Sequence, residues 1–212
     1  MIALFNTYVY QPILWLLVFI YQNLSFHDLG LAIIILTILV RLVLLPIFYK
    51  GAKDQTIIQK IQPHVKKIQL DHKDDKEKQA KELMALYKEH NINPFSSIIF
   101  LIIQLPVFFA LFSIFTKEIG AAVFESHYFA GFLNLDEKSL ALAALAAILQ
   151  YLQMKMMMRG PVAANQKIMM YAGPVITIVV LWNLPSALGL YWAVSNLFSI
   201  GQQWFINKKT QG

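Results

Sequence analysis

The stretch Gly30 to Pro46, GLAIIILTILVRLVLLP, places one arginine, Arg41, inside a long apolar run. Asp28 is the nearest charge before the run and Lys50 the nearest after it, so no sequence neighbour neutralises the guanidinium. An arginine near the centre of a membrane helix costs roughly 2.5–3.5 kcal/mol on insertion scales. Whatever this chain folds into must therefore give Arg41 a polar surrounding that its own segment lacks.

Composition fixes the medium of the chain as a bilayer. Of 212 residues, 58% are hydrophobic and only 14% charged, where a soluble domain carries about 25% charged residues. The apolar segments approach or exceed the ~18–20 residues that cross a ~30 Å hydrocarbon core. The expected fold class is an all-α membrane protein. The chain has no cysteine, which excludes disulfides, thiolate metal sites and a lipid-modified cysteine. Its first 22 residues contain no Lys or Arg and so lack the charged start of a secretory signal.

In chain order, residues 1–28 mix apolar side chains with Asn6, Thr7, Gln11, Gln22 and Asn23, with Pro12 as a helix starter. Trp15, Phe5, Tyr8, Tyr10, Phe19 and Tyr21 suit the headgroup zone, and the segment reads as an interfacial helix; a span from Ile2 to Tyr21 is the competing reading. Residues 29–49 form the first transmembrane helix, with Pro46 as a kink near its end. Residues 50–93 hold ten lysines and seven acids, too polar to cross. Ile57, Ile61, Val65 and Ile68 make one helical stripe, and Ala80, Leu83, Met84 and Tyr87 a second after the break Asp71 to Asp75. This is the pattern of an amphipathic helical hairpin, its first arm bent at Pro63. Asn93-Pro94 ends it. Residues 94–206 supply four further spans, at 95–116, 139–158, Ile168 to Trp182 and 187–206, separated by a loop at 117–138, a basic turn from Arg159 to Lys167 and the turn Asn183 to Ser186. Residues 207–212 are a short tail.

Five spans put the hairpin, the Arg159–Lys167 turn with Lys155, and the tail on one side, together holding fifteen of the eighteen cations. The positive-inside rule makes that side cytoplasmic. The expected location is the inner (plasma) membrane, multi-pass, with the C-terminus in the cytoplasm and residues 1–28 outside.

At about 1.5 Å per residue, Arg41 and Gln104 lie near the midplane, Gln150 and Gln153 in the inner half of the third span, and Asn196 near the middle of the fifth with Trp192 a turn further out. Any one of these amides alone reads as an interhelical hydrogen bond, worth about 0.6 kcal/mol on average. Four helices offering polar groups at matching depth, with no Asp or Glu inside a span to pair Arg41, read better as a hydrated groove. Arg41, Gln104, Gln150, Gln153, Trp192 and Asn196 are its candidate residues. Met154, Met156, Met157, Met158, Met169 and Met170 cluster near the inner end of the third span and across the following turn, either as packing filler or as an adaptable apolar surface. The five histidines lack metal-ligand spacing, and no phosphate loop, serine elbow or paired intramembrane carboxylates occur. The sequence thus predicts neither enzyme nor cofactor nor metal. A small transporter or channel using Arg41 as an anion site is the rival class, although the chain shows no inverted repeat.

Gly30-Leu31-Ala32-Ile33-Ile34, Leu36-Thr37-Ile38, Val40-Arg41-Leu42 and Pro46, then Asn93-Pro94, Gln104-Leu105-Pro106-Val107-Phe108, Leu152-Gln153-Met154-Lys155-Met156, Pro185, Leu190-Tyr191-Trp192 and Ser195-Asn196 stand in an order that resembles the YidC insertase family, which includes the mitochondrial Oxa and chloroplast Albino proteins. The resemblance covers about residues 5–206. It implies a five-helix core with a cytoplasmic hairpin and an interfacial helix, and an insertase and chaperone that moves client segments from cytoplasm to bilayer. It also implies a hydrophilic groove in which Arg41 matches the family arginine and Gln153 and Trp192 match other groove positions. The expected partners are nascent membrane proteins and the lipid bilayer, with the Sec translocon, the ribosome and the signal recognition machinery reached through the hairpin; no nucleic acid is bound directly. The chain is similar to the family's compact forms, without a large periplasmic domain or a long basic tail.

Overall fold

A computed structural model describes residues 2–93, 96–117, 124–158 and 164–209 of the chain. The N-terminal segment is one helical rod made of α1 (Ile2–Phe5), a π turn (Asn6–Tyr10) and α2 (Gln11–Asn23). Proline in a helix removes a donor and crowds the carbonyl four residues back. Here the widened turn precedes Pro12, and the Gln11 amide reaches back to Asn6 O. Ala3–Asn23 is long and apolar enough to cross a membrane, so its length suits a span as well as a surface position. One face of α2 buries Leu17, Ile20 and Tyr21, while Trp15 and Phe19 stack on the exposed side, their rings 5.6 Å apart.

Phe26 and His27 turn the chain through left-handed backbone (φ 53° and 60°) into α3 (Leu29–Val43). Asp28 caps this helix, accepting from Leu31 N at 2.8 Å. The first span expected over 29–49 does not run straight. It breaks at Leu44 and continues as α4 (Leu45–Lys60) at an angle of 69°. Pro46 is the physical cause, because its ring fits a first helical turn and not an interior one. The apolar residues after the break belong to a helix that continues into the lysine-rich segment.

The hairpin closes on part of each stripe, Ile57, Ile61 and Val65 against Leu83 and Tyr87, while Met84 stays exposed. α4 stops at Ile61, Pro63 starts α5 (Gln62–Asp71), and α6 (Lys76–Glu89) returns after a cap in which Asp75 accepts from Lys78 N. Ile61, Val65 and Ile92 form a small core with Ile57, Ile58, Leu83, Leu86 and Tyr87 packed on it. Partial burial there pushes the Tyr87 hydroxyl above the ordinary phenol pKa. A His72–Glu82 contact of 2.8 Å ties the arms together.

α7 (Ser96–Lys117), α8 (Leu140–Met157), α9 (Ala164–Leu181) and α10 (Ser186–Lys209) follow, in register with the expected second to fifth spans. Pro94, and Arg159 to Ala163 of the basic turn, lie outside the described residues. Of the described helices, Ala3–Asn23 and Leu140–Met157 have the length and apolarity to cross, and the bent pair α3–α4 makes a third. α7 and α9 are apolar over Ile102–Lys117 and Lys167–Leu181. α10 is less apolar because from its middle to its C-terminal end it buries Ser195, Asn196, Ser199, Gln203 and Asn207 inside the protein.

The expected loop at 117–138 holds a short antiparallel pair, β1 (Tyr128–Phe129) and β2 (Leu133–Asn134). Two-residue strands are too short for any periodic signal to reveal. The pair sits on the start of α3. Asp28 Oδ2 accepts from Ala130 N at 2.6 Å, and a Cβ added at Gly30 would lie 2.3 Å from Phe129 Cδ2. Tyr21 accepts from Ser126 N at 2.8 Å, and Ser186 Oγ donates to Asn134 O at 2.9 Å. The apolar core lies at this end of the bundle. Leu29, Ile33, Leu36, Leu111, Ile114, Leu188 and the small residues Ala143 and Ala146 are its buried centre. Small residues let α8 and α10 approach, as does Gly189, where an added Cβ would meet Leu142 Cβ at 3.2 Å.

Gly30→Ala is expected to push β1 off α3. Overpacking of this kind costs about 1–3 kcal/mol. Thermal unfolding in detergent should fall by several degrees, and amide exchange at Ala130 should accelerate. Unchanged exchange would mean that the strand pair does not rest on α3.

Candidate functional site

Arg41 is 6% exposed and sits in the last turn of α3. A helix C-terminus carries partial negative charge on its unpaired carbonyls, which favours a cation by about 0.3–1 kcal/mol at the surface and up to ~2 kcal/mol when partly buried. The break at Leu44 therefore gives Arg41 an electrostatic partner that no side chain in its own segment could supply. The guanidinium also donates through Nε to Ser195 Oγ at 3.2 Å and lies over the Phe48 ring, 4.9 Å from its centroid. Among the described residues no carboxylate pairs with it. Nη1 is buried and has no hydrogen-bond partner.

The opposing wall is a ladder on α10 at four-residue spacing: Tyr191, Ser195, Ser199, Gln203 and Asn207, all buried. Residues i and i+4 line one helix face, so the row extends for about 24 Å. Each rung but one engages a different helix. Gln104 of α7 donates to the Tyr191 hydroxyl, which also meets the Ser195 side chain. Ser195 holds Arg41 of α3, Gln203 donates to Thr56 Oγ1 of α4 at 3.2 Å, and Asn207 donates to Met156 O of α8 at 3.2 Å. Ser199 turns back to Ser195 O at 3.0 Å.

Between ladder and arginine lies a cavity of about 140 Å³. Arg41, Gln55, Gln153, Ser199, Gln202 and Gln203 give it a polar lining, with Phe48, Gly51, Ala52 and Met157 completing the wall. None of the lining residues is acidic. The start of α4 contributes four of them, so a segment expected to begin a separate hairpin is part of the site.

The six sequence candidates divide. Arg41 and Gln153 face the cavity together. Gln104 lies one rung away, on Tyr191. Trp192 packs edge-on against Phe108, 5.5 Å between centroids, where the polar layer meets the apolar core. Asn196 donates to Ala146 O at 3.0 Å, and Gln150 accepts from Thr177; both serve helix contacts away from the cavity lining. Depth read from sequence does not give the direction each of these two faces. Missed were Tyr191, Ser199, Gln202 and Gln203 of α10 and Gln55 and Thr56 of α4. The four-residue spacing from Tyr191 to Asn207 is the signal that could have found the ladder. Among the described residues no group of His, Asp or Glu could hold a metal.

Comparison with known proteins gives the family and the fold. The 60Kd inner membrane protein family matches residues 19–212. A membrane protein insertase YidC of Fusobacterium nucleatum is 34% identical over 205 residues, covering 96% of this chain and 98% of its own length. The chain belongs to the YidC/Oxa insertase family. A YidC 1 insertase of Halalkalibacterium halodurans is likewise 34% identical over 218 residues, covering 99% of this chain and 81% of its own. The insertase of Syntrophus aciditrophicus is 35% identical over 201 residues, which are 94% of this chain but 36% of that longer protein. The family thus has compact and extended members, and this chain matches a compact one almost end to end. The fold agrees with the crystal structure of an active YidC insertase with its first transmembrane domain resolved, at a TM-score of 0.70 and 24% identity over 93% of this chain and 45% of that one.

The chain has no cysteine, so single cysteines can report on the cavity. A cysteine at Ser199 is expected to react with a small water-soluble maleimide, and one at Leu111 in the apolar core to stay protected. Equal protection at both positions would mean that water does not reach the cavity.

Proposed function

We propose that this insertase passes client segments from the cytoplasm into the bilayer through the groove that begins at the Arg41 cavity. The observation that carries the reading is a buried guanidinium with an open donor, facing a polar cavity without acids. The apolar core fills the opposite end of the bundle. Fifteen of eighteen cations fall on the cavity side when α3, α7, α8, α9 and α10 are taken as five spans. That distribution supports a cytoplasmic hairpin and C-terminus in the inner membrane, with the N-terminal rod on the outer surface, where the exposed Tyr8, Trp15 and Phe19 suit the headgroup zone.

In this reading a client's short polar or acidic tail enters the cavity, where Arg41 and Gln153 replace part of its water. The low-dielectric distance left to cross becomes shorter. The client's apolar segment slides along exposed apolar faces such as Ile102, Leu105 and Phe109 of α7 into lipid. Its burial supplies about 25 cal/mol per Å². The membrane potential adds up to ~2.3 kcal/mol per charge per 100 mV as an acidic tail moves outward. No bond is made or broken, and no nucleotide is needed. The basic, solvent-facing hairpin is the surface through which the Sec translocon, the ribosome or the signal recognition machinery would hand over clients.

The test is purified protein in liposomes, offered a single-span client with an acidic tail and no Sec components or ATP. Protection of the translocated tail from added protease is the expected result, and anion flux without insertion would favour a transporter. Charge should matter more than guanidinium geometry. Arg41→Lys is expected to keep much of the activity, and Arg41→Glu to lose it for acidic tails. Equal insertion by all three proteins would overturn the role given to Arg41.

A further inference from the structure

One face of α10 carries the buried ladder, and the face half a turn round from it is open. Leu197, Gly201, Trp204 and Lys208 recur at spacings of four, three and four residues, which sets them on one stripe. Leu197 and Trp204 are more than half exposed, as is Phe205 beside them, and Gly201 and Lys208 are exposed too. A Cβ added at Gly201 would meet nothing within 4 Å, so the stripe has a notch a turn before Trp204. The Lys208 ammonium lies over the Trp204 ring, 5.5 Å from its centroid, and Lys209 follows it in the last turn of the helix.

The stripe is apolar at one end, cationic at the other, and as long as one leaflet. Leu197 and Lys208 stand about 16 Å apart along the axis at ~1.5 Å per residue, and half of a hydrocarbon core is about 15 Å. Tryptophan belongs at the headgroup boundary, its ring among the chains and its N–H toward the polar layer. The ring beneath Lys208 holds the ammonium at that same level, where its three N–H groups can donate to phosphate. We propose that this stripe binds one anionic phospholipid. An acyl chain lies in the Gly201 notch between Leu197 and Trp204, and the headgroup phosphate accepts from Lys208, with Lys209 adding charge. A zwitterionic headgroup offers the same phosphate but brings a cation of its own toward two lysines, so the site selects a net negative lipid. The proposal rests on α10 crossing the bilayer and is independent of the Arg41 groove.

The experiment uses the full chain in liposomes of phosphatidylcholine and phosphatidylglycerol, with bromine on the acyl chains of one lipid or the other. Quenching of Trp204 is taken as the difference between the native protein and Trp204→Phe, at fixed ionic strength. Brominated phosphatidylglycerol is expected to quench at a mole fraction at least fivefold lower than brominated phosphatidylcholine. Lys208→Gln should reduce that preference roughly fivefold, the equivalent of the ~1 kcal/mol that one lysine contributes near an anionic surface. Gly201→Leu fills the notch on an exposed face and should reduce the preference several-fold. Added inorganic phosphate should leave the quenching in place; displacement would mark a site for free phosphate and overturn the lipid assignment. Equal quenching by the two lipids, or a preference unchanged in either variant, overturns the proposal while leaving α10 as a span. Quenching by neither lipid would mean that this face does not meet the bilayer, and the premise fails with the site.

Discussion

The structure depends on how one guanidinium is kept charged inside a greasy bundle without a counter-ion. Arg41 is held by a helix terminus, one hydroxyl and one aromatic face. Each is a weaker partner than a carboxylate, and together they leave one donor open. A buried carboxylate partner would have added a desolvation cost of its own and occupied the guanidinium donors. The break at Leu44 is therefore as much a part of the site as the arginine. It ends α3 within a turn of Arg41 and lays the start of α4 along the cavity.

The two ends of the bundle are built on opposite rules. At the strand-pair end, aliphatic and small side chains close-pack, and Asp28, Gly30 and Tyr21 fix the loop onto α3 and α2. At the other end, the α10 ladder spreads hydrogen bonds over α3, α4, α7 and α8. Aliphatic packing fills one end and polar side chains line the other, with Trp192 and Phe108 in edge-on contact between them.

Much of this was legible in the sequence. The four later helices follow from long apolar runs, the hairpin from two apolar stripes and a charged break, and Arg41 from its cost in lipid. Gln153 was found because depth and facing direction happen to agree there. Gln150 and Asn196 show where depth alone runs out: they bond to α9 and α8 rather than line the cavity. The 69° break was legible only as a proline near the end of a span, since the apolar residues continue through Pro46 and conceal the change of axis. The strand pair was not legible at all. Its two-residue strands carry no period, and what holds it is a carboxylate 102 residues away in the chain.

That same long reach bears on how the protein comes to exist. Ser195 is separated from Arg41 by 154 residues, so synthesis delivers the arginine long before the hydroxyl that steadies it. Until the last helix is made, α3 carries a cation whose surroundings are incomplete, next to a cavity with one wall missing. During its own assembly the chain thus presents the bilayer with a polar residue awaiting shelter. Until Ser195 is made, Arg41 has only the end of its own helix and the Phe48 ring beside it.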